Sequence, residues 1–323
     1  MTHNSPKIVF FGTPSFAHRI LEALVEAGYM PVAVVTSPSK QKGRGLVVTD
    51  PPVKTYAKKE GIPVLQPEKL KDEKFLEELR ILRPDIFIVA SYGKILPAVL
   101  LAIPAHGTSN VHPSLLPKHR GPSPIQTTIL AGEKQTGVTI ILLDAEMDHG
   151  PILSQKELEF PISNFQFQKL HDILANLGGK LLIETIPKWI AGIITPQEQD
   201  HEKATYTKLL TKEDGRIDWL KSAEEIDCMV RALNPWPSTW SLLKIPEAKL
   251  PESHMGGKRI KILAGYPTDE PSPAPPGTLV KTKNGQLAAC TSNNLYVVET
   301  LQLEGRHPVK SFNLKNLEDC FLS

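Results

Sequence analysis

The chain has few cysteines and no long hydrophobic run. Its three cysteines lie far apart and form no Cys-x-x-Cys pair, which argues against a disulfide framework and against zinc or redox chemistry of that kind. No apolar stretch approaches the roughly 18 residues that a membrane helix requires. The first residues also lack the basic segment and following apolar run that are typical of a signal peptide. We therefore predict a cytoplasmic protein with reduced thiols and no membrane partner.

An excess of one charge and a glycine-rich N-terminal turn are also missing. The formal net charge is only +2, so an anionic partner such as a nucleic acid would have to bind a local basic patch. The opening run IVFFGTPSF resembles a nucleotide-binding βα turn but has a single glycine, without the others of the G-x-G-x-x-G fingerprint. A backbone that lacks them cannot closely approach a pyrophosphate, so we exclude NAD and FAD.

Short apolar runs alternate with amphipathic stretches through the first half of the chain. The runs are rich in β-branched residues and predict buried parallel strands at 8–11, 32–36, 64–65, 86–90 and 109–112. Helix patterns with plausible ends lie between them at 15–27, 52–60 and 72–83. This alternation predicts a doubly wound, Rossmann-like α/β domain that binds ligands at the carboxyl ends of its strands. Residues 138–143 and 152–160 could pair as adjacent strands, and a long helix pattern covers 164–190.

The second half of the chain has a different pattern. Residues 195–205, TPQEQDHEKAT, are almost wholly polar and are typical of an interdomain linker. A helix pattern at 223–233 is followed by five short strand patterns, which favour a small OB-like β-barrel. We predict a loop at 267–276 because its prolines cannot join a central strand. The predicted domains are 1–190 and 207–323, joined by a linker at 191–206.

Asn110 and His112 form a candidate catalytic pair at the end of the fifth predicted strand. Residues two apart on a strand share a face, so both project from the edge where an open α/β sheet binds its ligand. An Asn amide can donate to a developing oxyanion, and an imidazole can exchange a proton near neutral pH. The pair suits acyl transfer with direct attack by an amine or water, since no nucleophilic Ser or Cys is evident. Alternatively, Asn110 satisfies a turn and His112 caps the strand.

Three acids, Asp144, Glu146 and Asp148, lie in the loop of LLDAEMDHGPIL at 142–153. A carboxylate near His112 could orient the ring and receive a proton from an attacking ammonium. The alternative is that these acids are ordinary turn residues.

A basic stretch, TSPSKQKGRGLVVTDPP, occupies residues 36–52. Between 36 and 49 it carries Lys40, Lys42 and Arg44 with no acid, and its glycines favour mobility. Such a loop can grip phosphates, although a solvated basic loop without a partner has the same composition.

Several motifs together resemble the methionyl-tRNA formyltransferases, a family of folate-dependent formyltransferases. They occur in the expected order between about residue 7 and about residue 320: FFGTP at 10–14, KGRG at 42–45, SYGKILP at 91–97, NVHPSLLPKHRGPSPIQ at 110–126, TGVTIILLDAEMDHGPIL at 136–153, RIDW at 216–219 and NPWPSTW at 234–240. The Asn-x-His-Pro-Ser-Leu-Leu-Pro core is similar to that of all folate-dependent formyltransferases. The basic loop and the NPWP-containing second domain resemble the forms that use tRNA.

The resemblance implies transfer of the formyl group of 10-formyltetrahydrofolate, without a metal, to the amino group of methionyl initiator tRNA for translation initiation. Asn110, His112 and Asp148 match the family's catalytic residues. The implied tRNA-binding residues are Lys40, Lys42 and Arg44, on the first domain, and the second domain is implied to bind tRNA too. The implied folate-binding residues are Tyr92, Gly93, Ile95, Leu96, Pro97, Ser114, Leu115, Leu116 and Pro117. The chain departs from commoner members at His119, before Arg120-Gly121, and at His149, after the matched aspartate.

Alternative functions keep the fold and change the acceptor. A sugar-nucleotide N-formyltransferase would modify an amino sugar, and a hydrolase would pass the formyl group to water. A protein of another class would be a tRNA-binding module with an idle site, which the intact Asn110, His112 and Asp148 argue against.

Overall fold

The computed structural model describes residues 5–42, 47–159, 165–244, 257–313 and 320–323. The chain divides into two compact units, each considered by itself below. The first consists of Met1–Pro124, Gln135–Phe160 and Gln168–Lys208, and the second of Ile125–Lys134, Pro161–Phe167 and Leu209–Ser323. Within the described ranges, no helix is both long and apolar enough to cross a membrane.

A seven-stranded sheet forms the centre of the first unit. The strands up to residue 159 are β1 Ile8–Gly12, β2 Ala33–Val35, β3 Lys40–Lys42, β4 Val47–Thr49, β5 Val64–Leu65, β6 Ile86–Ala90, β7 Thr108–His112, β8 Gln135–Leu142 and β9 Ile152–Glu159. The sheet order is β5-β2-β1-β6-β7-β8-β9, and β3 pairs with β4 as a separate hairpin. The first five strands of that order run parallel, and β8 and β9 add an antiparallel edge. The predicted mainly parallel α/β sheet is confirmed.

Helices connect these strands. They are α1 Ser15–Glu26, α2 Pro52–Lys59, α3 Glu73–Leu82, α4 Ala98–Leu101, α5 Pro124–Leu130 and α6 Phe167–Ile190. The periodic apolar residues that predict α1 are its buried face: Phe16, Ile20 and Leu24 are at most 3% exposed. The α3 helix begins after Asp72, whose carboxylate accepts a hydrogen bond from Phe75 N at 3.1 Å.

Two adjacent glycines in α6 allow it to pack closely on its neighbours. A Cβ added to Gly178 would lie 2.8 Å from Val111 Cγ1, and one added to Gly179 would lie 2.8 Å from Ala23 Cβ. Both distances are shorter than carbon atoms tolerate. The glycines therefore bring α6 against α1 and against β7, the strand that carries Asn110 and His112.

The second unit contains a nearly closed antiparallel barrel, as predicted. Its helix is α7 Ala223–Leu233, and its strands are β10 Thr239–Lys244, β11 Lys258–Pro271, β12 Leu279–Lys281, β13 Leu287–Cys290, β14 Asn294–Leu303, β15 Val309–Lys310 and β16 Phe321–Leu322. The order is β12-β13-β14-β11-β10-β16, with β15 on β14, and a bridge from Thr278 to Phe321 joins the two ends. Ile226 and Val230 of α7 pack into the barrel core.

The predicted loop at 267–276 is wrong at its beginning, because β11 continues to Pro271. Pro267 pairs with Tyr296, and Pro271 pairs with Asn294 of β14. The β10 strand pairs with β11 at 258–262, so among the described residues the later part of β11 has a strand partner on one side alone. A proline without an N–H is tolerated on such an edge, and register shifts between 262 and 271 accommodate it.

Candidate active site

Asn110 and His112 lie on one face of β7, at its carboxyl end. Both side chains are buried, with 9% and 4% exposure. The strand pairs with β6 on one side and β8 on the other, so its backbone is fixed by two hydrogen-bond ladders. Val111, between them, alternates to the opposite face, toward Gly178. The spacing of the motif is therefore sufficient to place both side chains together.

Asp148 reaches the same place from the loop between β8 and β9. Its Oδ1 accepts a hydrogen bond from Asn110 Nδ2 at 3.3 Å, and its Oδ2 accepts one from Gly121 N at 2.8 Å. His112 Nδ1 lies 3.6 Å from Asp148 Oδ2. The structure thus brings together all three residues that the sequence matched to a catalytic role.

The hydrogen bonds of His112 assign separate tasks to its two nitrogens. Nε2 is 2.9 Å from the carbonyl oxygen of His119. A carbonyl only accepts, so Nε2 carries a proton. Nδ1, which faces Asp148, is then the nitrogen able to take up or release a proton at the site. The Asp148 carboxylate is the acceptor that a proton on Nδ1 would face.

A three-residue turn supplies main-chain contacts to both titratable groups; we call residues 119–121 the bracket. His119 O binds His112, and Gly121 N binds Asp148. Their φ angles are 62° and 110°, so both residues adopt the left-handed region. A Cβ on Gly121 would also meet Thr207 O at 2.8 Å. Glycine is needed at position 121 for both its conformation and its packing.

The bracket is held by residues 197–207, which we call the strap. Arg120 N donates to Thr205 O at 2.8 Å, and Thr207 N donates to Arg120 O at 2.7 Å. The strap's other end pairs with β9 through Gln197 and Ile152. Most of these residues fall in the polar stretch that predicts a linker, and in the structure they belong to the first unit.

The guanidinium of Arg120 is 1% exposed and connects the bracket to the strap. It donates to Gln199 Oε1, to Tyr206 Oη and to His201 Nδ1, at distances between 2.7 and 3.2 Å. Sequence reasoning missed Arg120 and Gln199 as site residues. Arg120 lies within a recognised motif, which was a usable signal, whereas nothing distinguishes Gln199 from the polar residues around it.

The other acids of the loop do not face the catalytic pair. Asp144 Oδ1 accepts from Glu146 N at 2.9 Å, and Asp144 Oδ2 lies 2.6 Å from His149 Nδ1. The His149 ring stacks on His201 of the strap, with centroids 4.1 Å apart and planes 2° from parallel. The turn interpretation therefore describes Asp144, and His149 joins the loop to the strap.

The predicted folate-binding residues lie in two segments, directly after β6 and after β7, at the edge where parallel sheets bind ligands. In the first segment, Tyr92 and Leu96 are buried in the hydrophobic core, Pro97 is partly buried, Gly93 has a φ of 81°, and Ile95 is 76% exposed. Burial raises the pKa of Tyr92 to about 12. This segment therefore offers its main chain and Ile95 at the edge, with the Tyr92 ring inside the protein.

The second segment, residues 114–117, is anchored on the antiparallel strands. Thr139 Oγ1 donates to Ser114 O at 2.7 Å and accepts from Leu116 N at 3.1 Å. Gln155 Nε2 donates to Leu116 O at 3.0 Å. Leu115 and Pro117 are partly buried between these anchored residues. The backbone beyond His112 is therefore rigidly supported.

The predicted tRNA-binding loop forms the hairpin of β3 and β4. Lys40 is exposed on β3, Lys42 ends that strand, and Arg44 lies outside the described residues. At the base of the hairpin, Asp50 accepts from Ser39 Oγ at 2.6 Å and pairs with Lys54 and Lys58 at 2.9 Å. These hydrogen bonds hold the pKa of Asp50 well below its usual range. Across the described parts of the chain, no group of three or more His, Cys, Asp or Glu is arranged to hold a metal ion.

The chain matches known families along most of its length. The family described as Formyl transferase matches residues 6–186, and Formyl transferase, C-terminal domain matches residues 209–316. A methionyl-tRNA formyltransferase of Roseiflexus sp. (strain RS-1) is 44% identical over 305 residues, which cover 94% of this chain and 90% of the relative. A methionyl-tRNA formyltransferase of Bacillus subtilis (strain 168) is 41% identical over 305 residues, covering 94% and 92%.

Solved structures share the fold at lower identity. An N-formyltransferase from Helicobacter canadensis, in complex with folinic acid and dTDP-3-aminofucose, superposes with a TM-score of 0.62 at 20% identity over 91% of this chain and 98% of that one. HypX from Aquifex aeolicus, in complex with tetrahydrofolic acid, superposes with a TM-score of 0.65 at 16% identity over 96% of this chain and 47% of that one. With the two family matches and the relatives above 40% identity, the chain belongs to the formyl transferase family, among the methionyl-tRNA formyltransferases.

Proposed function

We propose that this protein transfers the formyl group of 10-formyltetrahydrofolate to the amino group of methionyl initiator tRNA, giving N-formylmethionyl-tRNA for translation initiation. The observation that carries the proposal is the buried contact of Asp148 with Asn110 and His112, in a chain 44% identical to a methionyl-tRNA formyltransferase over 94% of its length. The residues fit this chemistry because they combine an amide donor, an imidazole and a carboxylate without a nucleophilic Ser or Cys.

Bound 10-formyltetrahydrofolate supplies an activated formyl group and an amine leaving group. Asn110 Nδ2 has two N–H bonds and directs one to Asp148, so the other can stabilise the formyl oxygen as it gains negative charge. His112, protonated at Nδ1, is the second donor, and Nε2 stays bound to the His119 carbonyl. Asp148 supports the imidazolium and takes up, directly or through water, the proton that the attacking amine loses. That proton can return to the departing folate nitrogen, which leaves the trio ready for another cycle.

We assign folate binding to the two segments after β6 and β7 and acceptor binding to the basic stretch with Lys40, Lys42 and Arg44. The supports are the position of the segments at the carboxyl edge and the local charge of the hairpin stretch. We also retain the domain assignment of 1–190, 191–206 and 207–323, with tRNA binding in the last.

A basic cluster on the barrel supports that last assignment. Residues 207–323 contain 15 basic and 14 acidic side chains, a net charge of only +1, so any tRNA contact depends on clustering. The Arg259 guanidinium lies 4.0 Å and that of Arg216 5.9 Å from the centroid of the Trp240 ring. Lys261 is the strand partner of Trp240. Two guanidinium groups thus lie near one tryptophan, with Lys261 on the paired strand, an arrangement suited to phosphate contacts.

Labelled 10-formyltetrahydrofolate tests the proposed function. Purified protein is offered methionyl initiator tRNA, an amino sugar nucleotide, or neither, and label is measured in the acceptor and as free formate. We expect label in the tRNA fraction, dependent on the attached methionine, because uncharged tRNA lacks the reacting amine. Label in the sugar nucleotide, or formate as the main product in every reaction, would overturn the assignment of the acceptor.

A further inference from the structure

Asp148 occupies a backbone conformation that its own strand does not impose. Its φ is 49°, a region that costs a non-glycine residue roughly 1 kcal/mol or more. The direction of its carboxylate depends on this conformation, because the side chain leaves a loop and not a strand. Contacts to the main chain at 148 therefore control where the carboxylate points.

Gln199 makes those contacts. Its Nε2 donates to Asp148 O at 2.9 Å and to Gly150 O at 2.7 Å, so one amide group bridges the two carbonyls that flank His149. The residue is 4% exposed although the stretch around it is polar. Both N–H bonds of the amide are used, and both hold the loop that carries Asp148.

Arg120 fixes the orientation of that amide. Gln199 Oε1 accepts from Arg120 Nε at 3.1 Å and from Nη2 at 2.7 Å, which leaves only the NH2 group to face the carbonyls. Among the described residues, the remaining hydrogen-bond partners of the guanidinium, Tyr206 Oη and His201 Nδ1, are not carboxylates either. Burying a cation without a carboxylate partner is costly, so stability alone does not explain the arrangement.

We propose that Gln199, oriented by the buried Arg120, is a positioning residue for Asp148. It holds the left-handed backbone at 148 so that the carboxylate meets Gly121 N and faces His112. This role rests on the proposed catalytic function of Asp148. It also assigns a task in catalysis to the strap, whose composition alone indicates a linker.

The test variant is Gln199→Glu, which keeps the shape and the acceptors for Arg120 but removes the donors to the two carbonyls. We expect kcat to fall about tenfold to a hundredfold, the scale of losses when a reacting group is slightly misplaced, with the KM for 10-formyltetrahydrofolate changed less than about threefold. Gln197→Glu is the matched control, since the Gln197 side chain is exposed in the same strap. It should retain wild-type kcat.

A double-mutant cycle separates positioning from general structural damage. Single-turnover rates are measured for Gln199→Glu, Asp148→Asn and the double variant. If Gln199 acts through Asp148, the double variant should be as slow as Asp148→Asn alone, within about twofold. If the glutamate variant does not fold, Gln199→Met, which adds no charge near the carbonyls, replaces it in the same double-mutant cycle.

Two results would overturn the positioning role: a kcat for Gln199→Glu equal to that of Gln197→Glu, or losses that multiply fully in the double variant. Failure of the proposed function gives a different result. In that case Asp148→Asn itself keeps a near-normal rate of formyl transfer, regardless of the rates measured for the Gln199 variants.

Discussion

Asn110 and His112 enter the site from a strand, whereas Asp148 enters it from a loop. The strand lies inside a sheet, with β6 and β8 on its two sides, so neighbouring main-chain ladders fix both side chains at once. The loop has no such ladder at position 148. Its support comes from Gly121, 27 residues away in sequence, and from Gln199, 51 residues away.

The difference shows that the candidate site combines two kinds of support. Strand-borne residues need only the correct spacing, because the sheet provides the geometry. A loop-borne residue in an unfavourable backbone region needs separate contacts that hold it there. Substitutions at Gly121 and Gln199, which contact the loop side, should therefore act on Asp148 and leave the strand pair in place.

The largest effects should come from the reacting groups on both sides of this comparison. We expect Asn110→Ala and Asp148→Ala each to lower kcat by about a hundredfold or more, because each removes an oxyanion donor or a proton acceptor. Asp144→Ala is the matched control: it lies in the same loop, but its carboxylate binds His149. Steady-state formyl transfer measures all three. Equal losses at positions 144 and 148 would contradict a specific role for Asp148.

An intermediate effect is expected at Gly121, which supports only the loop side. Gly121→Ala introduces a Cβ 2.8 Å from Thr207 O at a φ of 110°, so the backbone there must shift, and we expect the hydrogen bond from Gly121 N to Asp148 to weaken. We expect kcat to fall about tenfold and the free energy of unfolding to fall by about 1–3 kcal/mol.

Gly192→Ala separates the effect of an unfavourable backbone conformation from the effect of a steric clash that displaces the backbone. Gly192 has a φ of 68°, but nothing lies within 4 Å of an added Cβ. This control should lose about 1 kcal/mol of stability and keep wild-type kcat, as followed by urea unfolding and formyl transfer. An equal kcat for both alanine variants would show that the bracket does not support Asp148.

The smallest effect is expected at Tyr92, which follows strand β6 but points into the core. Within the described residues, its buried hydroxyl has no hydrogen-bond partner. Tyr92→Phe should therefore change the free energy of unfolding by less than about 1 kcal/mol near neutral pH.

The same variant tests the alkaline behaviour of the fold. Burial raises the pKa of Tyr92 to about 12, above its value of about 10 in the unfolded chain. The resulting stability is fully present below pH ~10 and is lost as the pH rises through the folded pKa. Stability measured between about pH 10 and about pH 12, the interval between the unfolded and folded pKa values, should fall less steeply in Tyr92→Phe than in the wild type. Identical slopes would contradict burial of an ionisable hydroxyl.

The sequence predicted the strand side of the site well and the loop side only in part. Alternating apolar runs predicted β7, and the spacing of Asn110 and His112 then placed their side chains without further information. Asp148 was predicted from its motif, but its backbone conformation depends on Gln199, whose local sequence is almost wholly polar. A contact between residues 51 apart leaves no periodic signal in one sequence.

Proline and glycine show the same limit. Prolines predicted a loop at 267–276, but whether a strand can hold them depends on which neighbours it has, and within the described ranges β11 has one strand neighbour there. The reason for Gly178-Gly179 is likewise visible only when α6 meets Val111 and Ala23. In each case the deciding contact comes from a distant part of the chain.

The most direct test of the account compares two histidines near opposite ends of β7. His112→Asn and His106→Asn are measured in single-turnover formyl transfer to methionyl initiator tRNA, together with thermal unfolding and tetrahydrofolate binding. We predict that His112→Asn loses about a hundredfold or more in rate with the fold and folate affinity retained, and that His106→Asn transfers normally. Near-normal transfer by folded His112→Asn would contradict the account, because a reaction that uses the Asn110–His112–Asp148 site must slow when the imidazole is removed.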